Sequence, residues 1–94
     1  MSARVGVLTV GLSLPGCRSL KEKRSRLRPL LDGVRARFRV SVAETGRQNR
    51  RDGAIVSCAV VGSSRKVIDG LLQALSRAME QYDVVIETIE TEVW

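Results

Sequence analysis

The apolar residues of this chain switch between strand spacing and helix spacing in the order strand, helix, strand, strand, helix, strand. Val5 to Leu14 is a run of branched apolar residues interrupted by Gly6, Thr9, Gly11 and Ser13, and Pro15-Gly16 halts it. Branched side chains favour the extended backbone and a Pro-Gly pair ends it, so this segment predicts the first strand. Ser19-Leu20-Lys21-Glu22 has the form of a capping box, with Ser19 as the cap and Glu22 reaching back to it. A helix is predicted to start there. Leu20, Leu27, Leu30, Leu31, Val34 and Phe38 then fall on one face at about 100° per residue. Pro29 removes a backbone donor inside this pattern and predicts a kink or two shorter helical pieces.

Arg39 to Glu44, with Val40 and Val42 alternating, and the nearly unbroken apolar run Ala54 to Val61 predict strands two and three, joined by a polar Gly/Asn/Arg/Asp linker. Ser63 and Ser64 are candidate caps for a second helix. Its apolar positions are read as Val67, Leu71, Leu72, Leu75, Met79 and Tyr82, with Gly70 as a weak point. Val84 to Trp94 mixes β-branched residues with Glu87, Glu90 and Glu92, as an exposed edge strand does. The order βαββαβ predicts an α+β fold of ferredoxin-like type: one four-stranded antiparallel sheet with both helices on one face, in a single domain spanning residues 1–94. Strands one and three would be central and are apolar at nearly every position. Val5, Val7, Val56 and Cys58 are therefore expected to need cover on the open face, which predicts a homodimer or higher oligomer through the sheet.

Charge is distributed unevenly along this pattern. Residues 1–51 hold 13 Lys/Arg against 3 Asp/Glu and residues 52–94 hold 3 against 7, so the halves carry +10 and −4 of the net +6. A polycation of this kind attracts phosphate backbones or anionic surfaces without specifying a sequence. On a helical wheel Lys21, Arg24, Arg28 and Arg35 fall within about 60° of one another beside the leucine face. Arg18 and Arg39 extend this ridge, while Arg26 and Arg37 lie on the other flank. Asp32 is the only acid between Glu22 and Glu44, so pairing within the helix cannot neutralise most of these cations. The ridge is accordingly a candidate phosphate site.

Lys23 falls at the edge of the leucine face. It either snorkels to solvent or serves as a functional ammonium near Pro15 and Gly16. Arg47, Arg50 and Arg51, with Gln48 and Asn49, add cations and amides on the predicted hairpin. Glu44, closing the Val40/Val42 alternation, is expected near the core edge beside a basic residue. The serines of Gly62-Ser63-Ser64-Arg65-Lys66 are explained by capping alone, because the Walker A spacing is missing.

The sequence contains no histidine, and neither Cys17 nor Cys58 belongs to a CxxC pair. The usual base for a Ser or Cys nucleophile is therefore missing, and two cysteines cannot build a structural zinc site or a disulfide framework. We expect no catalytic residues, no metal and no cofactor, and a cytoplasmic protein with no membrane span, since Val5 to Leu14 is too short to cross a bilayer. Aromatics are limited to Phe38, Tyr82 and Trp94, none on strand one or three. Base stacking on the central strands, as in RNA-recognition domains, is thus not expected.

Leu14-Pro15, the run Arg18-Ser19-Leu20-Lys21-Glu22-Lys23-Arg24, the run Arg37-Phe38-Arg39-Val40-Ser41-Val42-Ala43-Glu44 and Ser63-Ser64-Arg65 resemble the YlxP-like family of small bacterial proteins, a family of unknown function. The resemblance covers nearly the whole chain and implies a ferredoxin-like fold. Genes of that family often neighbour those for translation initiation and ribosome-binding factors, which implies a role near ribosome maturation. Its members often carry an acidic residue and a tryptophan in the hairpin after the Glu44 equivalent, where this chain has Asn49 and Arg51.

The leading expectation is a non-catalytic accessory protein that binds RNA or a ribosomal subunit through the phosphates. The residues expected to carry it are Arg18, Lys21, Lys23, Arg24, Arg28, Arg35, Arg47, Arg50 and Arg51. The alternative is an oligomeric protein-interaction or small-ligand sensing module.

Overall fold

The computed structural model describes residues 2–94. Strand β1 (Arg4–Ser13) is followed by helix α1 (Leu20–Phe38), strands β2 (Ser41–Gly46) and β3 (Gly53–Gly62), helix α2 (Arg65–Met79) and strand β4 (Val85–Val93). The strands form one sheet in the order β2-β3-β1-β4, every neighbouring pair antiparallel. This is the ferredoxin-like α+β arrangement.

Register decides which strand residues reach the helices. Leu8 lies opposite Cys58 and Val10 opposite Val56, and these join Leu12, Ala54 and Val60 beneath Leu27, Leu30, Val34, Ile68, Leu72, Leu75 and Met79 in one core. Side chains alternate across a sheet, so Val5, Val7, Thr9, Ser57 and Ala59 occupy the open face. The expectation that Val56 and Cys58 need outside cover is therefore corrected: both are buried by the helices. Only Val5 and Val7 of that set belong to the open face, which also carries a hydroxyl chain in which Ser57 Oγ meets Thr9 Oγ1 at 3.3 Å and Thr45 Oγ1 at 2.7 Å.

The helix starts follow the caps. Ser19 Oγ accepts from Glu22 N at 3.0 Å, while Glu22 Oε2 accepts from Arg18 N, one residue before the cap. Ser64 Oγ accepts from Val67 N and opens α2. Helix α1 runs unbroken through Pro29, which sits on the exposed side where solvent can hydrate the Ser25 carbonyl left without a donor. In α2 the buried positions are Ile68, Leu72, Leu75, Ala78 and Met79; Val67 is exposed and Tyr82 lies beyond the helix end.

At the β4 edge the ladder slips between Gly11 and Leu12, and Thr88 Oγ1 accepts the Gly11 N–H there. A Cβ at residue 11 would collide with that hydroxyl, so glycine lets Thr88 approach the β1 backbone at the bulge.

Candidate nucleic-acid interface

The first helix lies toward the β2 side of the sheet, and the acids Glu87, Glu90 and Glu92 sit on β4 at the opposite edge. Folding thus converts a charge asymmetry along the sequence into one across the molecule. Lys21, Arg24 and Arg28 are exposed on α1, and none of the ion pairs among the described residues involves them. Together with Ser25, Pro29 and Asp32 they line an open depression of about 650 Å³. On the other side of the same Arg24, Arg28 and Asp32 row, a groove of about 250 Å³ runs between α1 and β2, lined also by Leu27, Leu31, Arg35 and Glu44. Arg35 is partly committed: it donates to Asp32 Oδ1 at 3.2 Å and to the Val42 carbonyl at 3.0 Å, tying α1 to the sheet edge.

Lys23 has a different role from its neighbours. Its side chain is 2% exposed, and its ammonium donates to the carbonyls of Arg47 and Arg50, each at 2.7 Å, while pairing with Glu44 Oε2 at 2.7 Å. Two of the three ammonium donors are taken by these carbonyls, and the Glu44 carboxylate balances the charge beside them. Lys23 is thereby corrected as a phosphate ligand: it does not snorkel to solvent but fastens the β2–β3 turn to α1. The Glu44 contact is close but angled away from hydrogen-bond geometry, so it is an ion pair rather than a further hydrogen bond. Glu44 does sit at the core edge beside a basic residue, as its place in the strand pattern suggested.

The remaining predicted residues separate. Arg18 is exposed just before the α1 cap. Arg47 adopts a left-handed backbone with φ 56° and approaches Glu87 at 3.9 Å. Arg50 pairs with Asp52 at 2.8 Å, and this hydrogen bond holds the Asp52 carboxyl below the usual carboxylate range. Arg51 is exposed and enters none of the ion pairs among the described residues. The ridge is therefore brought together on α1, with the hairpin beside it through the Lys23 latch, while two of the three hairpin cations have acidic partners of their own.

Sequence reasoning missed the part played by Arg26. Its guanidinium donates to the carbonyls of Pro15 at 2.8 Å and Asp83 at 2.9 Å, and its Nε stands 3.0 Å from Asp83 Oδ2. It joins the β1–α1 loop to the α2–β4 loop. No local pattern signals this, because Asp83 lies 57 residues away.

Residues 5–93 match the model of the family described as "Protein of unknown function (DUF503)". The chain belongs to this family. Within the reach of DUF503, it is similar to the "Uncharacterized protein YlxP" of Bacillus subtilis (strain 168), with 33% identity over 76 residues, covering 81% of this chain and 83% of that protein. The DUF503 match takes in α1, the hairpin and all four strands, so the ridge and the latch both lie inside the family region. Among the described residues of this DUF503 chain no helix is long and apolar enough to cross a membrane, and no cluster of three metal-ligating side chains occurs.

Proposed function

We propose that this protein is a non-catalytic RNA- or ribosome-associated accessory protein of the cytoplasm, binding backbone phosphates through α1. The observation that carries this reading is the exposed row Lys21, Arg24 and Arg28, without acidic partners among the described residues, along an open depression. Three like charges at helical spacing repel one another, and a polyanion turns that repulsion into attraction. Arg18 and Arg51 extend the surface, whereas Lys23 supports it from beneath. The acids on β4 would orient an approaching polyanion toward the α1 side. Assignment to the ribosome rests on what the YlxP-like resemblance implies.

The test is binding of the purified protein to ribosomal subunits and to free ribosomal RNA across a salt series. Selective binding to subunits at physiological salt, with affinity falling steeply as salt rises, supports the reading. Absence of binding at low salt overturns it.

A second reading, self-association through the open sheet face, has its own observation. Val61, Val5 and Trp94 lie side by side across three chain segments, with Val5 and Trp94 exchanging backbone hydrogen bonds. They are 69%, 38% and 60% exposed. A contiguous apolar row of this kind suits a sheet-to-sheet contact between copies. A monomeric mass across micromolar concentrations would sink it.

A further inference from the structure

The cationic ridge accounts for an attraction to phosphate, but the groove beside it is built for something else. On the Lys21 side of the Arg24–Arg28 row the lining is polar or cationic apart from Pro29. On the β2 side it includes Leu27 and Leu31 together with the carboxylates of Asp32 and Glu44. A phosphate has no apolar surface for leucine to cover and, ionised, no hydrogen for a carboxylate to accept. A nucleobase has both: a flat face, and amino or imino hydrogens on its Watson–Crick edge.

We infer that the α1–β2 groove receives one unstacked base of a single-stranded RNA, preferably guanine, while neighbouring phosphates rest on Lys21, Arg24 and Arg28. This rests on the phosphate-binding reading and adds a base specificity to it. Guanidinium groups at the rim offer planar surfaces for the base as well as charge for the backbone.

The preference follows from the acceptors left open. Glu44 engages Lys23 through Oε2, and its Oε1 takes part in none of the hydrogen bonds or ion pairs among the described residues. Asp32 receives Arg35 on Oδ1 alone. Each carboxylate therefore keeps one oxygen without a partner among the described residues, and both residues line the groove. Guanine offers two adjacent donors, N1–H and the 2-amino group. Uracil turns two carbonyl oxygens toward the same carboxylates with a single imino hydrogen between them. Guanine is accordingly the best fit and uracil the poorest.

The experiment measures affinity for three nine-nucleotide RNAs: all uridine, uridine with a central guanosine, and uridine with a central inosine, which lacks the 2-amino group. The guanosine RNA should bind about tenfold more tightly than the all-uridine RNA, with inosine between, as hydrogen bonds to a base edge allow. Leu31→Trp fills the groove without removing a cation. It should reduce the preference to less than about twofold while keeping the salt dependence, its fold being checked by circular dichroism. Glu44→Gln, which presents a donor suited to uracil, should shrink the guanosine preference as well. Equal affinity for all three RNAs with the salt dependence intact overturns the base site and leaves the phosphate reading standing. An undiminished preference in a folded Leu31→Trp protein also overturns the site. No binding to any of the RNAs at low salt overturns both readings.

Discussion

The Lys23 ammonium lies 2.7 Å from the Glu44 carboxylate and donates to two carbonyls of the β2–β3 turn, so that one residue of α1 fixes the start and the end of that turn. The pair is not a surface ion pair, since Lys23 is almost fully enclosed. Its stability value comes from the penalty of leaving its partners unmet. Lys23→Met keeps the length of the side chain but leaves the Glu44 carboxylate and the Arg50 carbonyl without their partner, while the Arg47 carbonyl keeps only the Arg50 N–H. We expect a loss of about 2–4 kcal/mol, at the lower end if water reaches the partly exposed Glu44, measured by urea unfolding. A loss under about 1 kcal/mol would show that the turn is held by its own hydrogen bonds.

How far the sequence revealed this architecture depends on whether periodicity was local. The six elements, both serine caps and the sheet type were legible, because capping boxes and apolar spacings act within a few residues. Face assignment in the central strands was not legible. Val56 and Cys58 stand in an apolar run with no alternation, so nothing in Ala54 to Val61 says which parity meets the helices. In α2, placing Val67 rather than Ile68 in the core was an error of one position at a helix start, where the wheel is least constrained. The wheel put Lys23 at the edge of the leucine face, but its partners arrive from a turn 24 and 27 residues later.

Two helix glycines respond oppositely to a methyl group. A Cβ at Gly70 meets nothing within 4 Å, so Gly70→Ala gains helix propensity without a clash and should stabilise by about 0.5–1 kcal/mol. A Cβ at Gly33 would overlap the Tyr82 side chain. There the same propensity gain is offset by displacing the ring, and Gly33→Ala should be neutral or destabilising. Thermal melts of the two variants test the contrast, and an equal gain in both would show that Tyr82 moves freely.

Burial pushes the Cys58 thiol up from its ordinary value of 9.0 to about 11. The folded protein holds the proton more tightly than the unfolded chain, so this contribution is complete below pH 9 and is lost as pH rises from 9 through about 11. The loss amounts to about 2–3 kcal/mol from this group. Cys58→Val removes the titration, so the stability difference between wild type and variant should fall with pH across that window and stay flat below it. A difference independent of pH from 7 to 11 would contradict the buried, protonated thiol.

The ridge makes a quantitative prediction about salt. Lys21, Arg24 and Arg28 are exposed and without carboxylate partners among the described residues, so their replacement by alanine removes charge without breaking an internal ion pair. Stability should change by less than about 0.5 kcal/mol per site, and helix propensity makes alanine no worse a host. Each cation that neutralises a phosphate of a single strand contributes about 0.7 to the slope of log affinity against log salt, so the triple variant should flatten that slope by about 2. The single substitution Arg50→Ala removes a cation already paired with Asp52, and its slope should change by less than one contact's worth. A triple variant with the wild-type slope would place the anion elsewhere on the molecule. An Arg50→Ala effect as large as that of Arg24→Ala would mean that the hairpin releases its internal partner to meet the phosphate.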